Sequence, residues 1–152
     1  MENKMIIGDP KTIAVHIDVT ATSDDGYFKY GAFNFILNEK FIPGIGVYFT
    51  LNTILLNLKK SLFDIERTKK LQDIDEKIEL TEEAIFSSNN PNIIQIDCSE
   101  LWDCGCALSL GLHKDEEIIF YSSDHGATIS KIHLPRGTMA NLINKLPKVI
   151  DL

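Results

Sequence analysis

The feature that most constrains the fold of this chain is the strict alternation of apolar and polar side chains over residues 12–19. Every second side chain is apolar, so one face of the segment is formed by Ile13, Val15, Ile17 and Val19. A period of two is typical of a strand with one face in a core and the other towards solvent. A turn-forming sequence at 23–26 leads to a second, more aromatic run at 28–37. The two runs predict an antiparallel hairpin.

The period changes at residue 51, where apolar side chains begin to recur every three or four residues. One helix face therefore collects Leu51, Ile54, Leu55, Leu58 and Leu62. Thr50 precedes this helix as a candidate N-cap. A closing helix is predicted between 135–138 and Pro147, and its apolar face is formed by Met139, Leu142, Ile143 and Leu146. A third, short helix is predicted from about Thr81.

Four further strands are predicted in the second half of the chain, at 93–98, 106–112, 116–122 and 127–134. Strands joined by tight turns, with helices set apart from them, predict an α+β fold. We expect an antiparallel sheet with the two main amphipathic helices packed on one face. The length of 152 residues, without internal repeats, predicts a single domain over residues 1–152.

The charge balance limits the classes of partner. The chain has 22 acidic and 15 basic residues, a net charge of −7 and a sequence pI near 5.0. Nucleic-acid binding needs clustered Lys and Arg, so this balance argues against nucleic acid and favours a basic protein. The apolar runs are too short for a signal peptide or a membrane span, so we expect a cytoplasmic protein without membrane contact. On its own the chain is expected to be a monomer or a weak dimer.

Three cysteines, Cys98, Cys104 and Cys106, form an odd set that is typical of free thiols in a reducing compartment. Structural zinc sites use two close ligand pairs, and the second pair is missing from this sequence. The four histidines are spread singly, and neither a phosphate-binding loop nor a thiol with a local base occurs. We therefore expect no catalytic residues, no cofactor and no metal. The alternative is a small metal- or thiol-dependent enzyme that uses the three cysteines.

Acidic residues are concentrated in the window 71–103. It has nine acids against one lysine, Lys77, so it carries a net charge of −8 and leaves +1 for the rest of the chain. Either the window is a well-solvated face, or it is shaped for a cationic partner. The acidic run at 115–117 falls in a predicted turn and is interpreted as solvated charge.

Trp102, the only tryptophan, lies at the edge of this window in a predicted loop. A tryptophan flanked by acids has the composition of an interface anchor with a charged rim, although an amphipathic core tryptophan is equally common. The candidate binding set is Asp73, Asp75, Glu76, Glu79, Glu82, Glu83, Glu100, Trp102 and Asp103. A further alternative is an oligomerisation module, in which the aromatic strand 28–37 pairs with its own copy at a sheet edge.

Five short motifs resemble, in sequence and order, those of one family of bacterial immunity proteins. They are Met5-Ile6-Ile7-Gly8-Asp9-Pro10, Tyr30-Gly31-Ala32-Phe33-Asn34-Phe35, Ile42-Pro43, Thr50-Leu51-Asn52 and Leu134-Pro135-Arg136-Gly137-Thr138. In these motifs the chain resembles the immunity protein 42 family, small cytoplasmic inhibitors encoded beside polymorphic toxins and contact-dependent growth inhibition toxins. The resemblance spans most of the chain and is weakest over 64–103. The family opening falls at Met5, which leaves Met1 and Met5 as two alternative starts.

The resemblance implies a non-enzymatic protein that binds the C-terminal domain of its cognate toxin and blocks the active site or substrate cleft. No catalytic residues carry over from the family. Many such toxins are nucleases with basic clefts, so a basic nuclease such as an RNase is the expected partner. An acidic inhibitor complements such a cleft, and the acidic window agrees with that expectation.

Overall fold

Two antiparallel sheets make up the β structure of the computed structural model, which describes residues 4–44, 46–66 and 71–152. Sheet A has the order β1-β2-β3-β4, with β5 also paired to β3. Its strands are β1 (Lys4–Gly8), β2 (Ile13–Thr22), β3 (Lys29–Leu37), β4 (Lys40–Ile42) and β5 (Phe49–Thr50). Sheet B follows the chain order with β6 (Ile93–Ile96), β7 (Ala107–His113), β8 (Glu116–Ser122) and β9 (Ser130–Pro135).

The helices cover these sheets. They are α1 (Leu51–Glu66), α2 (Glu82–Ile85) and α3 (Thr138–Lys145), with 3-10 helices at Ser99–Cys104 and Val149–Asp151. One apolar core takes side chains from both sheets, from α1 and from α3. α1 contacts β3, β6 and α3, so it joins the two sheets. The α+β class and the two amphipathic helices are confirmed. Within the described ranges, no helix is long and apolar enough to cross a membrane.

The strands form two sheets where the sequence predicts one. Alternation identifies the buried face of a strand but not the neighbour with which it pairs. Each sheet is built from hairpins between consecutive strands, and α1 lies between the last strand of sheet A and the first strand of sheet B in the chain. α1 therefore packs against strands of both sheets, whereas α2, through Ile85, packs on the other face of sheet B, so the helices do not lie on one face of a continuous sheet.

The predicted hairpin of β2 and β3 is confirmed. Its register shifts between Val19 and Ala21, where the two strands approach closely. A Cβ atom added to Gly31 would lie 1.9 Å from the carbonyl oxygen of Asp18. No side chain fits at this position, so glycine is required for the strands to pair here.

Three local features of the structure differ from what the sequence indicates. The sequence does not predict β1, because this edge strand is short and only half-buried. Residues 127–129 lie outside any strand, since the Asp124 carboxylate accepts a hydrogen bond from the Thr128 N–H at 2.8 Å and extends the turn. β3 pairs with β2 on one side and, on the other, with β5 at residues 30–31 and with β4 at residues 35–37, so most of both edges is already used within the chain and not for pairing with its own copy.

A second apolar cluster covers the face of sheet B opposite the main core. Its buried members are Ile74, Ile85, Ile93, Ile118, Phe120 and Ile129. The first two belong to residues 71–86, which we call the covering segment. The Ile74 N–H donates to the Leu112 carbonyl oxygen at 2.9 Å, and a Cβ added to Gly111 would lie 2.9 Å from Ile74 Cδ1. The apolar side chains of the segment therefore pack tightly against the sheet.

Charged side chains from distant elements hold both ends of α3. Glu117 of β8 accepts hydrogen bonds from the Gly137 N–H at 2.6 Å and the Met139 N–H at 2.9 Å, in the place of an N-cap side chain. Lys59 of α1 donates to the Ile143 carbonyl oxygen at 2.8 Å. Burial raises the pKa of Glu117, and the two N–H donors offset this only in part. The interpretation of 115–117 as solvated charge is wrong for Glu117, because β8 directs this side chain inward.

Candidate functional site

The covering segment runs from one end of sheet B to the other, so most of the predicted acids lie at one of these two ends. Its start lies against Gly111 and Leu112, beside the β7–β8 turn. Its end lies against Gly126, beyond the opposite end of β8. We call the first region, with residues 73–76 and the β7–β8 turn, the Lys114 end. The second region, the Trp102 end, comprises α2, the 3-10 helix Ser99–Cys104 and the loop 123–128.

At the Lys114 end, acidic side chains bind neighbouring parts of the same chain. Asp73 accepts a hydrogen bond from the Lys114 N–H at 2.9 Å, and its other carboxylate oxygen lies 3.5 Å from a guanidinium nitrogen of Arg136. Glu76 Oε1 lies 2.7 Å from His113 Nε2. These contacts fasten the covering segment to the β7–β8 turn and to the start of α3. The acids here already have partners.

At the Trp102 end, α2 presents two acids to solvent. The predicted short helix is confirmed, and its cap is Thr81, whose hydroxyl accepts a hydrogen bond from the Ala84 N–H at 3.2 Å. Ile85 is buried and anchors the helix. Glu82 and Glu83 follow the cap and are exposed. Among the residues that the structure describes, neither carboxylate is engaged in a hydrogen bond or an ion pair.

Trp102 lies on the 3-10 helix Ser99–Cys104 and not in the predicted loop. Leu101 is fully buried and anchors this helix, while Trp102 on the next position remains 40% exposed. The Trp102 ring contacts the His125 ring edge to face, with centroids 5.5 Å apart. Asp103 is exposed beside it. The side chain is therefore a partly exposed aromatic with a fixed neighbour, not a core tryptophan.

The remaining predicted acids are placed differently. Glu100 is half-buried, and its Oε2 accepts a hydrogen bond from the Thr50 N–H at 3.2 Å, which ties the 3-10 helix to the start of α1. Asp75 is exposed, and its carboxylate accepts from the Lys77 N–H at 2.9 Å. Glu79 lies between the two ends and is exposed. The structure thus brings together Glu82, Glu83, Trp102 and Asp103, and separates them from the other candidates.

A cleft of about 540 Å³ opens at the Trp102 end. Phe86, which follows α2, lines it together with Trp102 and with Asp97 from the segment after β6. Neither Phe86 nor Asp97 belongs to the predicted set. The only sequence signal for Phe86 is its position at the end of the short helix, and Asp97 lies in the acidic window without any feature that distinguishes it.

The cysteines form a different kind of cluster. Cys98 and Cys106 are buried, Cys104 is half-buried, and all three are free thiols. A hydrogen bond with Cys98, together with burial, raises the pKa of the Cys106 thiol. A raised pKa disfavours the thiolate that a nucleophile or a metal ligand requires. Within the described part of the chain, no three His, Cys, Asp or Glu side chains are grouped to hold a metal ion. This geometry gives the enzyme alternative no support.

Comparisons with known proteins identify the class of this fold. The family model of immunity protein 42 matches residues 5–149. The chain is therefore one of the immunity proteins. It belongs to the immunity protein 42 family, which confirms the resemblance of its motifs.

Two individual proteins are similar to this chain. An uncharacterized protein of Pasteurella multocida (strain Pm70) is 29% identical in an alignment 171 residues long. The alignment covers 95% of this chain and 100% of the relative. The crystal structure of CdiI from Burkholderia dolosa AUO158 has a TM-score of 0.64 and 16% sequence identity. The match covers 92% of this chain and 96% of that chain. At this identity the second similarity shows a shared fold.

Proposed function

We propose that this chain binds and neutralises one cognate bacterial toxin of a contact-dependent growth inhibition system, and that its Trp102 end makes the contact. Membership of the immunity protein 42 family supports the toxin-neutralising role. The observation that supports the position of the contact is the group of exposed acids around a partly exposed tryptophan. Aromatic anchors with a charged rim are typical of high-affinity protein interfaces.

The charge of the chain favours a basic partner. Glu82, Glu83 and Asp103 face solvent at the Trp102 end, and the net charge of the chain is −7. Opposite potentials steer two proteins together and raise the association rate, and unpaired charges reject partners with the wrong pattern. A toxin domain with a basic surface is therefore the partner that this end of sheet B complements.

The proposed toxin is a nuclease, such as an RNase, and the contact is with its C-terminal domain. A nuclease needs a basic cleft for the phosphates of its substrate, and an acidic inhibitor occupies the same cleft in their place. Inhibition of this kind requires neither a catalytic step nor a cofactor in the inhibitor. We place this action in the cytoplasm, where the substrates of such a nuclease are found.

The test uses the C-terminal domain of the cognate toxin, purified and assayed for RNA cleavage. Adding the chain in equal amount should abolish cleavage, and the affinity measured by calorimetry should fall as salt is raised because exposed charges carry the contact. Unchanged cleavage and no measurable binding would contradict the proposal. Inhibition of a toxin that does not cleave nucleic acid would retain the immunity function and remove the nuclease assignment.

A further inference from the structure

The cleft at the Trp102 end has a chemistry of its own. We propose that it accepts a single cationic side chain, an arginine, from the toxin. The toxin as the source of this arginine rests on the proposed function, whereas the guanidinium chemistry rests on the residues that line the cleft.

Two aromatic side chains line the cleft, beside the smaller apolar residues Ile96, Cys98, Ala107 and Leu108. Phe86 comes from the end of α2 and Trp102 from the 3-10 helix, so two separate elements meet here. His125 lies against the Trp102 ring at 5.5 Å and 89°, which limits the positions available to the ring. A cation over the face of a tryptophan is attracted by the ring quadrupole, and the attraction grows as the cation is desolvated.

One carboxylate supplies the polar part. Among the described residues, Asp97 is the only charged one that lines the cleft, and no Lys or Arg does so. Its Oδ1 accepts a hydrogen bond from the Ser99 N–H at 2.9 Å, which fixes the orientation of the carboxylate. Its Oδ2 has no hydrogen-bond partner within the residues that the structure covers. Gln95 adds a neutral polar side chain beside it.

This combination fits arginine better than lysine. A guanidinium group is planar, stacks on aromatic rings and forms hydrogen bonds to a carboxylate at the same time. A lysine ammonium is more strongly hydrated and does not stack. The volume of about 540 Å³ is within the range of about 300–1,000 Å³ for small-ligand pockets. It therefore admits a long side chain that carries part of its hydration shell.

Trp102 provides a direct readout, because it is the only tryptophan of the chain. The full chain is titrated with N-acetyl-arginine amide and with its citrulline counterpart, in which a neutral urea replaces the guanidinium. We expect a saturable change in Trp102 fluorescence with the arginine compound, with a Kd on the order of 10 mM or tighter. The citrulline compound should bind at least about fivefold more weakly than the arginine compound. Equal binding of the two compounds, or no saturable change with arginine in this range, would overturn the proposal.

A matched pair of variants tests the role of the carboxylate. Asp97→Asn removes the charge and keeps an oxygen that accepts from the Ser99 N–H. Asp75→Asn makes the same change in the same kind of turn at the Lys114 end, where Asp75 accepts from the Lys77 N–H at 2.9 Å. Asp97→Asn should weaken arginine binding about fivefold or more, and Asp75→Asn should leave it unchanged. Arginine binding that is equal in both variants and the parent contradicts the inference.

The same variants separate this inference from the proposed function. Toxin neutralisation that is weakened by Asp97→Asn and not by Asp75→Asn supports both. If arginine binds as expected but no toxin is neutralised, the guanidinium chemistry of the cleft stands, while the toxin source and the proposed function fail. If the toxin is neutralised equally by the parent and both variants, the proposed function stands and the toxin is not the source of an arginine in this cleft.

Discussion

The Lys114 end and the Trp102 end both carry acidic side chains, but these side chains have different roles at the two ends. At the Lys114 end, Asp73 and Glu76 contact groups of the same chain, and this fastens the segment to the fold. At the Trp102 end, Glu82, Glu83 and Asp103 are exposed and have no such contacts among the described residues. A run of acids in the sequence therefore does not measure the charge that is available to a partner. Only those acids that the fold leaves without internal contacts are free to bind one.

The largest effect is expected from reversing the exposed charges at the Trp102 end. Glu82→Lys, Glu83→Lys and Asp103→Lys together should lower the affinity for the toxin domain about 100-fold or more, because attractive contacts become repulsive. The free energy of unfolding should change by about 1 kcal/mol or less, since these carboxylates have no internal contact to lose among the residues that the structure describes. Calorimetry with the toxin domain and urea denaturation measure the two quantities.

The control for this triple variant keeps the charge change and moves its position. Glu79→Lys, Asp115→Lys and Glu116→Lys alter the net charge equally, lie at and beside the Lys114 end, and break no contact that holds the covering segment. We expect a loss of affinity below about tenfold from the long-range field alone. Equal losses in the two triple variants would mean that only net charge matters, and would remove the distinction between the two ends.

The next largest effect concerns the buried acid near the Lys114 end. Glu117→Ala removes the acceptor of the N–H groups at the start of α3, so we expect a loss of about 2 kcal/mol in the free energy of unfolding. The affinity of the folded variant for the toxin should equal that of the parent. Urea denaturation tests the first expectation, and a stability equal to that of the parent would show that water replaces the carboxylate without cost.

The pH dependence of stability gives a second readout of Glu117. Burial raises its pKa above the ordinary value of 4.5, so between the two values the folded state binds a proton that the unfolded state has released. The stability of the parent relative to Glu117→Gln should therefore be highest below pH 4.5 and fall as the pH rises through the folded-state pKa. A difference that rises with pH instead would contradict the raised pKa.

A smaller effect is expected from the cap of α2. Thr81→Ala removes the hydroxyl that accepts from the Ala84 N–H, at a local cost of about 1 kcal/mol. Fraying of α2 should lower toxin affinity about fivefold or less, because Glu82 and Glu83 lose their fixed positions. Thr81→Ser retains a hydroxyl and should bind like the parent. Identical affinities of the Ala and Ser variants would show that the toxin does not contact α2.

The smallest effect is expected from the exposed ion pair at the Lys114 end. Asp73→Asn removes the attraction to Arg136 and keeps an oxygen that accepts from the Lys114 N–H. Exposed pairs contribute little, so the free energy of unfolding should change by less than about 1 kcal/mol. Toxin affinity should be unchanged in calorimetry. A loss as large as that of the Trp102-end variant would instead place the toxin at the Lys114 end.

The sequence predicts the elements better than their assembly. Alternation at 12–19 and the helical spacing from residue 51 each identify a buried face, because the period depends only on local geometry. The pairing of β6 to β9 into a second sheet depends on contacts between distant segments, which no local period encodes. The strand β1 is not predicted either, because it is too short and too exposed to show a period.

The candidate site shows the same limit. The acidic window and Trp102 are visible in the composition of the sequence. Which acids have internal contacts is not visible, because Glu100 binds the Thr50 N–H and Asp73 binds the Lys114 N–H across long separations in the chain. Phe86 and Asp97 enter the cleft only because the covering segment and the chain after β6 meet at one end of sheet B. The placement of the toxin contact at that end stays a prediction.

The central claim is that the toxin covers the Trp102 end and leaves the Lys114 end open. Hydrogen–deuterium exchange of the chain with and without the toxin domain tests this directly, since it reports on every backbone segment in one experiment. We predict slower exchange on binding over residues 82–86 and 97–104, with no change over 73–76 and 113–116. Slower exchange at the Lys114 end, with none at the Trp102 end, would contradict it.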